Sequence, residues 1–356
     1  MEPKAQRVEL APDYSISRVL NGCWQLSQGH SLNGPLDMSD VKKAFYELKD
    51  LGFTTFDCAD IYTGAEEFIG SFIAELKKDP AFHEEDIQVH TKFVPDLEYL
   101  DKVDFAFTEK IIDRSLMRLH KDILDVVQFH WWDYDVDGMI RTAGYLDELR
   151  RKGKIRCVSG TNFDTKHLAK LVDAGIPIVS MQTQYSLFDR RPEKQMQKYC
   201  LDHGISLICY GTLAGGFFAE RYIGVPREAI RPETRSQVKY LQVIEDSLGW
   251  DGYQKLLKMM KTMADHHSVG LSQISSRWVL DRPAVAAVII GVRNSRHVYD
   301  NARIFSFDLS DEEKKQLDDF ISAYPTLDGE PFKLERTIGS KYRNIMHMNI
   351  NEDEQQ

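Results

Sequence analysis

The chain has 356 residues, 42% of them hydrophobic, and a formal net charge of −10. A chain of this length can bury a large core, either as one α/β barrel or as two domains. The negative charge argues against a broad nucleic-acid or anionic-membrane surface, and every apolar run is shorter than the roughly 18 residues of a membrane span.

Eight short apolar runs alternate with helical patterns along the chain. The predicted strands span 17–22, 53–57, 87–92, 123–130, 155–161, 178–184, 205–210 and 285–291. The predicted helices span 39–50, 66–77, 108–119, 139–152, 164–175, 193–203, 237–248, 253–266, 272–280 and 310–324, with another starting at Ser295. Ser39 and Thr108 are the expected N-caps of the first and third helices, and Ser295 is the expected N-cap of the helix after the last strand.

This alternation continues without a linker-like stretch, which favours a closed parallel (β/α)8 TIM barrel over a doubly wound sheet. Neither G-x-G-x-x-G nor G-x-x-x-x-G-K-[ST] follows any strand, so the usual dinucleotide and P-loop motifs are absent. We predict a single barrel domain over residues 1–326, with an inserted helical segment after the seventh strand. Residues 327–356 form a C-terminal extension that lies over the barrel mouth or along its side, and the last residues read as disordered.

The N-terminal stretch has no apolar core of the kind that a signal peptide carries. The five cysteines are odd in number and include no CxxC pair, which is typical of reduced thiols rather than of a disulfide framework or a zinc site. We therefore expect a cytoplasmic protein that holds no metal.

Four polar residues follow the second, third and fourth predicted strands. Asp57, Lys92 and His130 end these strands, and Tyr62 lies five residues beyond Asp57 in the loop. Sites in parallel α/β proteins are built at the carboxyl ends of the strands, so the four side chains can meet in the barrel mouth. Each residue alone has an ordinary structural explanation, such as capping or packing. Lys92 is the exception, because a buried lysine is costly without a partner.

Four segments of the chain together resemble the aldo-keto reductase superfamily. They are DCADIY at 57–62, the TK that ends the third strand, LDVVQFHWW at 124–132 and GKIRCVSGTNF at 153–163. The resemblance runs from about Leu20 to Asn301. It implies a (β/α)8 barrel that binds NADPH, or less often NADH, and reduces small aldehydes and ketones to alcohols.

The resemblance also implies a role for each of the four residues. Tyr62 resembles the general acid that protonates the carbonyl oxygen. Lys92, paired with Asp57, would stabilise the tyrosinate and lower the pKa of Tyr62. His130 would orient the carbonyl and help to donate to its oxygen, and a histidine here favours carbonyl reduction over double-bond reduction.

The nicotinamide end of the cofactor is expected near three strand ends. Thr161, Asn162 and Gln182 match the positions that hold the carboxamide, and Tyr210 matches the aromatic residue that stacks on the nicotinamide ring. The glycine-rich loop after the seventh strand resembles the segment that wraps the pyrophosphate, and the contacts it would supply come from Gly211, Thr212, Leu213 and Gly215.

The adenosine end is expected after the last strand. Arg293, at a helix start, suits a 2′-phosphate and so favours NADPH over NADH. Asp300 and Asn301 would contact the adenine amine, and His297 stands where the family commonly has Gln or Arg. Trp24 and Trp131 are the expected walls of the substrate pocket, although both could equally pack in the barrel. Asp60 and Trp132 are weaker candidates for the same pocket.

Two other classes of function stay open from the sequence. A regulatory subunit like the potassium-channel β subunits would share the fold and bind NADPH with little or no turnover. A metal-dependent hydrolase would need a ligand set that Asp57, His90 and His130 supply poorly, because Lys92 among them repels a cation and HxH and HExxH pairs are absent. The sequence does not decide between a monomer and a homo-oligomer.

Overall fold

The computed structural model describes residues 4–27 and 35–348, so the expected disorder of the last residues lies outside the described part of the chain. Eight parallel strands close into a barrel, which confirms the predicted fold class. The strands of the structure are β1 (Arg7–Ala11), β2 (Tyr14–Ser17), β3 (Val19–Gly22), β4 (Thr55–Asp57), β5 (Gln88–Phe93), β6 (Leu124–Phe129), β7 (Ile155–Thr161), β8 (Ile178–Gln184), β9 (Ser206–Tyr210) and β10 (Val285–Gly291). The order around the barrel is β10-β3-β4-β5-β6-β7-β8-β9, and β1 and β2 form a separate sheet.

Helices follow the barrel strands and cover the outside of the barrel. They are α1 (Met38–Asp50), α2 (Ala65–Leu76), α3 (Phe105–Leu119), α4 (Met139–Arg151), α5 (Thr165–Asp173), α6 (Met196–Asp202), α7 (Arg235–Asp246), α8 (Gly249–His267), α9 (Leu271–Leu280), α10 (Val298–Ala302), α11 (Asp311–Ser322) and α12 (Lys333–Arg336). None of these helices is long and apolar enough to cross a membrane. The insertion after β9 carries α7 and α8, as expected from the interrupted rhythm.

Three predicted N-caps are wrong. The helical segments are capped one to four residues earlier, by Asp37, Asp104 and Asn294 instead of Ser39, Thr108 and Ser295. The carboxylate of Asp104 accepts the Phe107 N–H at 2.8 Å, while the Thr108 hydroxyl donates to the Asp104 carbonyl at 2.8 Å from inside the helix. Acidic and amide side chains compete well with hydroxyls for this position, so the nearer Ser or Thr is a poor guide where Asp or Asn precedes it.

The closed end of the barrel is covered by an N-terminal hairpin that the sequence analysis missed. The strands β1 and β2 pair antiparallel, so Ser17 belongs to the hairpin and the first barrel strand begins only at Val19. The hairpin turns at Asp13, which has φ of 59°. Its Tyr14 hydroxyl lies 3.1 Å from Nε2 of His90 in the barrel interior. Around this polar pair the end of the barrel is filled by apolar side chains, among them Leu10, Ile16 and Leu20.

The C-terminal residues 327–348 lie at the opposite, open end. Phe332, Met346 and His347 line the cavity there, and the Leu97 N–H donates to the Met348 carbonyl at 2.9 Å. Within this segment Glu335 is fully buried. The tail thus contributes side chains to the mouth of the barrel as well as covering part of it.

Candidate active site

A cavity of about 1230 Å³ opens at the carboxyl ends of the barrel strands. Most of the residues predicted for the site line it. They are Trp24, Asp57, Tyr62, Lys92, His130, Thr161, Asn162, Gln182, Tyr210, Gly211, Leu213, Gly215, Arg293, His297, Asp300 and Asn301. The cavity extends from the barrel interior to the segment after β10, so it offers both an enclosed end and an open, elongated end.

Three predicted residues do not line the cavity: Trp131, Thr212 and the weaker pocket candidate Asp60. Trp131 is fully buried and donates its indole N–H to the Val136 carbonyl at 3.1 Å, so it packs behind the mouth that His130 lines. Its neighbour Trp132 lines the cavity instead. Thr212 is also buried, and its carbonyl accepts the Ser275 hydroxyl at 2.6 Å. The expected roles of Trp131 in the pocket wall and of Thr212 at the pyrophosphate are therefore corrected.

Lys92 and Asp57 form a buried ion pair at the ends of β5 and β4. Nζ of Lys92 lies 2.9 Å from Oδ2 of Asp57 and donates to the Cys58 carbonyl at 2.6 Å. Burial alone would lower the pKa of Lys92, but the charge of Asp57 and the neighbouring Tyr62 raise it above its ordinary value. The lysine is therefore a fixed positive charge, and its ammonium lies 5.0 Å from the centre of the Tyr62 ring.

Tyr62 follows β4 in the loop that leads to α2. Its burial raises the pKa to about 12, although Lys92 acts in the opposite direction. The sequence analysis expected Lys92 to lower the pKa below the usual value for a phenol, and it did not anticipate that desolvation outweighs this effect. The consequence is that Tyr62 is protonated at neutral pH, which is the state that a proton donor requires.

A network of amide side chains holds the other oxygen of Asp57. Oδ1 accepts from Nε2 of Gln128 at 2.9 Å and from Nε2 of Gln182 at 2.6 Å, and the Gln182 amide also donates to Gln128 at 2.7 Å. The carboxylate of Asp57 is thus fully engaged, and it positions Lys92 rather than exchanging protons with a ligand. The two amide hydrogens of Gln182 are used by Asp57 and Gln128, so only its oxygen remains for a bound carboxamide.

His130 comes directly after β6. Its Nδ1 lies 3.0 Å from the Thr161 carbonyl oxygen, and burial, with a smaller contribution from Arg336, lowers its pKa to about 3. A carbonyl can only accept, so Nδ1 carries the single hydrogen of a neutral ring and Nε2 is an acceptor. In this tautomer Nε2 carries no hydrogen, so donation from His130 to a carbonyl oxygen stays a prediction of the sequence.

The C-terminal tail reaches this site through two side chains that carry no recognisable motif. The Phe332 ring lies 5.5 Å from the His130 ring, edge to face. The Arg336 guanidinium donates to the Asn162 carbonyl at 2.7 Å and to the Trp131 carbonyl at 2.8 Å. Asn162 itself has φ of 62°, so the tail supports a strained backbone turn at the expected carboxamide site.

Buried charges anchor the same tail to the barrel. The Glu335 carboxylate lies 3.2 Å from Arg191 and 3.5 Å from Lys239, and Arg191 is also paired with Asp189 at 2.7 Å. Burial alone would raise the pKa of Glu335, but Arg191 and Lys239 lower it to about 2. The tail is therefore held by ion pairs on elements that are far apart in the sequence, which no local pattern could predict.

Sequence reasoning also missed basic residues along the open end of the cavity. They are Arg221, Arg235, Lys239 and Arg296. The first three lie in the insertion after β9, whose length was noted but whose role could not be assigned. Acidic residues are nearly as common in this insertion as Lys and Arg, so its composition gave no signal. Lys239 is paired with Glu335, and the arginines, with Arg293, are the groups that could meet an anionic ligand at this end, where Glu220, Glu233 and Asp300 also line the cavity.

Comparisons with known proteins agree with this architecture. Residues 18–322 match the model of the aldo/keto reductase family. The NADH-specific methylglyoxal reductase of Escherichia coli is 22% identical over 328 residues, which cover 87% of this chain and 96% of that protein. The chloroplastic pyridoxal reductase of Arabidopsis thaliana is 27% identical over 340 residues, covering 88% and 85%.

A solved structure, that of a glycerol dehydrogenase from Gluconobacter oxydans, has the same fold. Its TM-score is 0.73 at 23% identity, and the alignment covers 93% of this chain and 98% of that one. Fold, site and relatives together define an oxidoreductase. More narrowly, the chain belongs to the aldo/keto reductase family, as the family match over most of its length shows.

Proposed function

We propose that this enzyme reduces an aldehyde or ketone to an alcohol, with NADPH as hydride donor and Tyr62 as proton donor. The observation that carries the proposal is a protonated phenol beside the buried Lys92–Asp57 pair, inside a cavity large enough for a dinucleotide and a small carbonyl compound. When bound, the nicotinamide would supply the hydride. The proton, by this proposal, comes from the chain itself.

The residues of the cavity fit such a cofactor. Tyr210 lines the cavity and donates its hydroxyl to Oδ1 of Asn162 at 2.8 Å, so the expected stacking and carboxamide residues are tied together. At the other end, Arg293 and Arg296 line the cavity before α10, where a phosphate would find their guanidinium groups. The donor set therefore suits a ligand with an uncharged ring at one end and phosphates at the other.

Tyr62 and Lys92 would share the acid–base step. As the carbonyl carbon gains a hydride, its oxygen gains negative charge and takes the proton from the Tyr62 hydroxyl. The ammonium of Lys92 stabilises the tyrosinate that remains, and Asp57 keeps this ammonium in place and charged. Solvent then returns a proton to Tyr62, which restores the starting state.

The test is to follow oxidation of NADPH and of NADH with 4-nitrobenzaldehyde as the carbonyl substrate. We expect turnover with both cofactors and a higher kcat/KM with NADPH. If NADPH binds but is not oxidised by this aldehyde or by a panel of other aldehydes and ketones, the proposed reaction is wrong, and a regulatory nucleotide-binding role replaces it.

The preference for NADPH rests on Arg293 and has its own test. The variant Arg293→Ala should weaken NADPH binding by about tenfold, because one charged contact to the 2′-phosphate is lost, and should leave NADH binding nearly unchanged. Arg303→Ala is the control, since Arg303 lies in the same segment but does not line the cavity. Equal weakening of both cofactors would show that Arg293 does not read the 2′-phosphate.

A further inference from the structure

Two histidines and a glutamate converge outside the barrel, where the end of α8 meets the start of α11. Within residues 4–27 and 35–348, His266, His267 and Glu313 are the one group of three histidine, cysteine or acidic side chains whose ligand atoms all lie within 4.8 Å of one another. Oε1 of Glu313 lies 3.3 Å from Nδ1 of His266 and 2.9 Å from Nε2 of His267. None of the three residues lines the cavity, so the cluster is separate from the candidate active site.

The spacing of these atoms is close to that of neighbouring ligands around one metal ion. Zinc binds imidazole nitrogen at about 2.0–2.1 Å and carboxylate oxygen at about 2.0–2.2 Å, so two ligands of a tetrahedral site lie roughly 3.3 Å apart. The distances of 3.3 Å and 2.9 Å from the Glu313 carboxylate to the two rings are near this value. Because the two ring nitrogens are at most 4.8 Å apart, small side-chain rotations bring all three groups to the same ion.

Two of the three side chains are held in place by their neighbours. The side chains of His267 and Glu313 are only 14% and 13% exposed, and the His267 ring packs against the Phe307 ring with 4.8 Å between the centres. Oε2 of Glu313 accepts the Ser310 N–H at 2.9 Å, and hydrogen bonds of this kind orient the carboxylates of metal sites. The His266 side chain is 75% exposed, so water can reach an ion here and complete its coordination.

The surrounding charge also favours a cation. Asp311 and Glu312 stand beside Glu313 in the first turn of α11, and the two histidines occupy the last turn of α8, where unpaired carbonyls carry partial negative charge. Hydrogen bonding alone explains the buried contact between His267 and Glu313. It does not explain why the exposed His266 ring turns to the same oxygen, because water satisfies such a ring equally well.

We propose that His266, His267 and Glu313 form a binding site for one divalent transition-metal ion, with Zn²⁺ as the expected ion and water as the remaining ligand. Two imidazoles and a carboxylate suit zinc and its neighbours, whereas Mg²⁺ and Ca²⁺ prefer a full set of oxygen ligands. The ion joins side chains 46 and 47 residues apart and fixes the turn into α9, whose first residues line the open end of the cavity. The sequence did not indicate this site, because the third ligand is so distant from the other two.

The test is a calorimetric titration of the full chain with Zn²⁺, after removal of metal by a chelator and without an affinity tag. We expect one Zn²⁺ per chain and no binding of Mg²⁺ at the same concentration. His267→Gln and Glu313→Gln should each weaken Zn²⁺ binding by at least the ~10–100-fold that loss of an outer partner of a metal site costs. Glutamine also serves in a capping box, so Glu313→Gln should leave the start of α11 folded.

His297→Gln is the matched control for these variants. His297 is exposed like His266, and its Nδ1 lies 3.5 Å from Oδ2 of Asp300, but in the described part of the chain this pair has no third ligand of the same kind. The affinity for Zn²⁺ should therefore be unchanged. Equal affinities of the wild type, His267→Gln and Glu313→Gln overturn the proposal, and so does Zn²⁺ binding that is lost in His297→Gln.

Two further measurements report on the site without any turnover. Nitrogen-15 NMR of the full chain, labelled at histidine, should show Zn²⁺ shifting Nδ1 of His266 and Nε2 of His267 while the other histidines keep their signals. Zn²⁺ should also raise the Tm of the wild type, because it binds the folded state, and should not raise that of Glu313→Gln. Shifts at other histidines instead, or a Tm that Zn²⁺ does not raise in the wild type, overturn the inference. Carbonyl reduction takes no part in these measurements, so the proposed function stands or falls separately.

Discussion

The two ends of the barrel each bury a neutral histidine, and the comparison shows what makes one of them available to a ligand. Burial lowers the pKa of both His90 and His130 to about 3. At the closed end, Tyr14 of the hairpin meets Nε2 of His90 at 3.1 Å, and His90 does not line the cavity. At the open end, Nδ1 of His130 lies 3.0 Å from the Thr161 carbonyl oxygen, and His130 lines the cavity. In both histidines the other ring nitrogen is buried and has no hydrogen-bond partner among the described residues. The two histidines are alike in burial and in charge. They differ in what lies beside them: the N-terminal hairpin covers His90, whereas His130 borders the cavity.

A tyrosine accompanies the histidine at each end, and the largest expected effect separates these two tyrosines. Tyr62→Phe should reduce kcat by about 10²-fold or more, the usual scale for a lost general acid, because the carbonyl oxygen loses its proton donor. Binding of NADPH, measured by quenching of its fluorescence, should stay nearly intact, since a phenyl ring fills the same space. Turnover that survives this change would show that another group donates the proton.

The next largest effect is expected at the buried ion pairs of Glu335 with Arg191 and Lys239, which hold the C-terminal tail at the open end. Glu335→Gln should lower the free energy of unfolding by about 3 kcal/mol, because Lys239 loses its partner carboxylate and Arg191 keeps only Asp189. The loosened tail should also raise KM for the carbonyl substrate, since Phe332 lines the cavity three residues earlier.

The exposed pair Lys198–Asp202 provides the control for this anchor. Asp202→Asn should change stability by less than about 1 kcal/mol, because both side chains of that pair are solvated. Chemical denaturation of Glu335→Gln and Asp202→Asn measures the two losses in the free energy of unfolding. Equal stability losses would mean that the buried network contributes no more than a surface ion pair.

The features that could be predicted from the sequence are those whose pattern lies within one short segment of the chain. The barrel was predictable because each strand and helix carries its own period, and Asp57, Lys92 and His130 could be placed together because strand ends meet at one edge. The tautomer of His130 depends on a carbonyl 31 residues away, and the tail anchor joins residues 144 apart. Such pairings leave no periodic trace in the sequence.

A smaller, pH-dependent effect is expected from Asp60, which lies in the loop between Asp57 and Tyr62 but does not line the cavity. One of its oxygens accepts the Val94 N–H at 3.0 Å, and the other has no hydrogen-bond partner among the described residues. Burial, more than any neighbouring charge, raises its pKa to about 7. A raised pKa favours the folded state while the carboxyl is protonated, and that contribution is lost as the pH rises through about 7.

Asp60→Asn should therefore stabilise the protein at pH 8 by about 2 kcal/mol, and the gain should shrink toward zero near pH 4. Urea unfolding of both proteins between pH 5 and pH 8 measures the difference. A difference that does not change with pH would show that Asp60 is not the group that titrates. A gain that grows toward acid would give the wrong sign for a buried carboxyl.

The smallest effect belongs to the closed end. Tyr14→Phe removes the hydroxyl that lies against Nε2 of His90, so the free energy of unfolding should fall by about 1 kcal/mol, the cost of leaving one buried polar group unpaired. Turnover should be unchanged, because neither Tyr14 nor His90 lines the cavity. If Tyr14→Phe instead lowers kcat/KM as strongly as Tyr62→Phe does, the polar interior of the barrel couples its two ends. The hairpin would then belong to the catalytic apparatus rather than to the packing of the closed end.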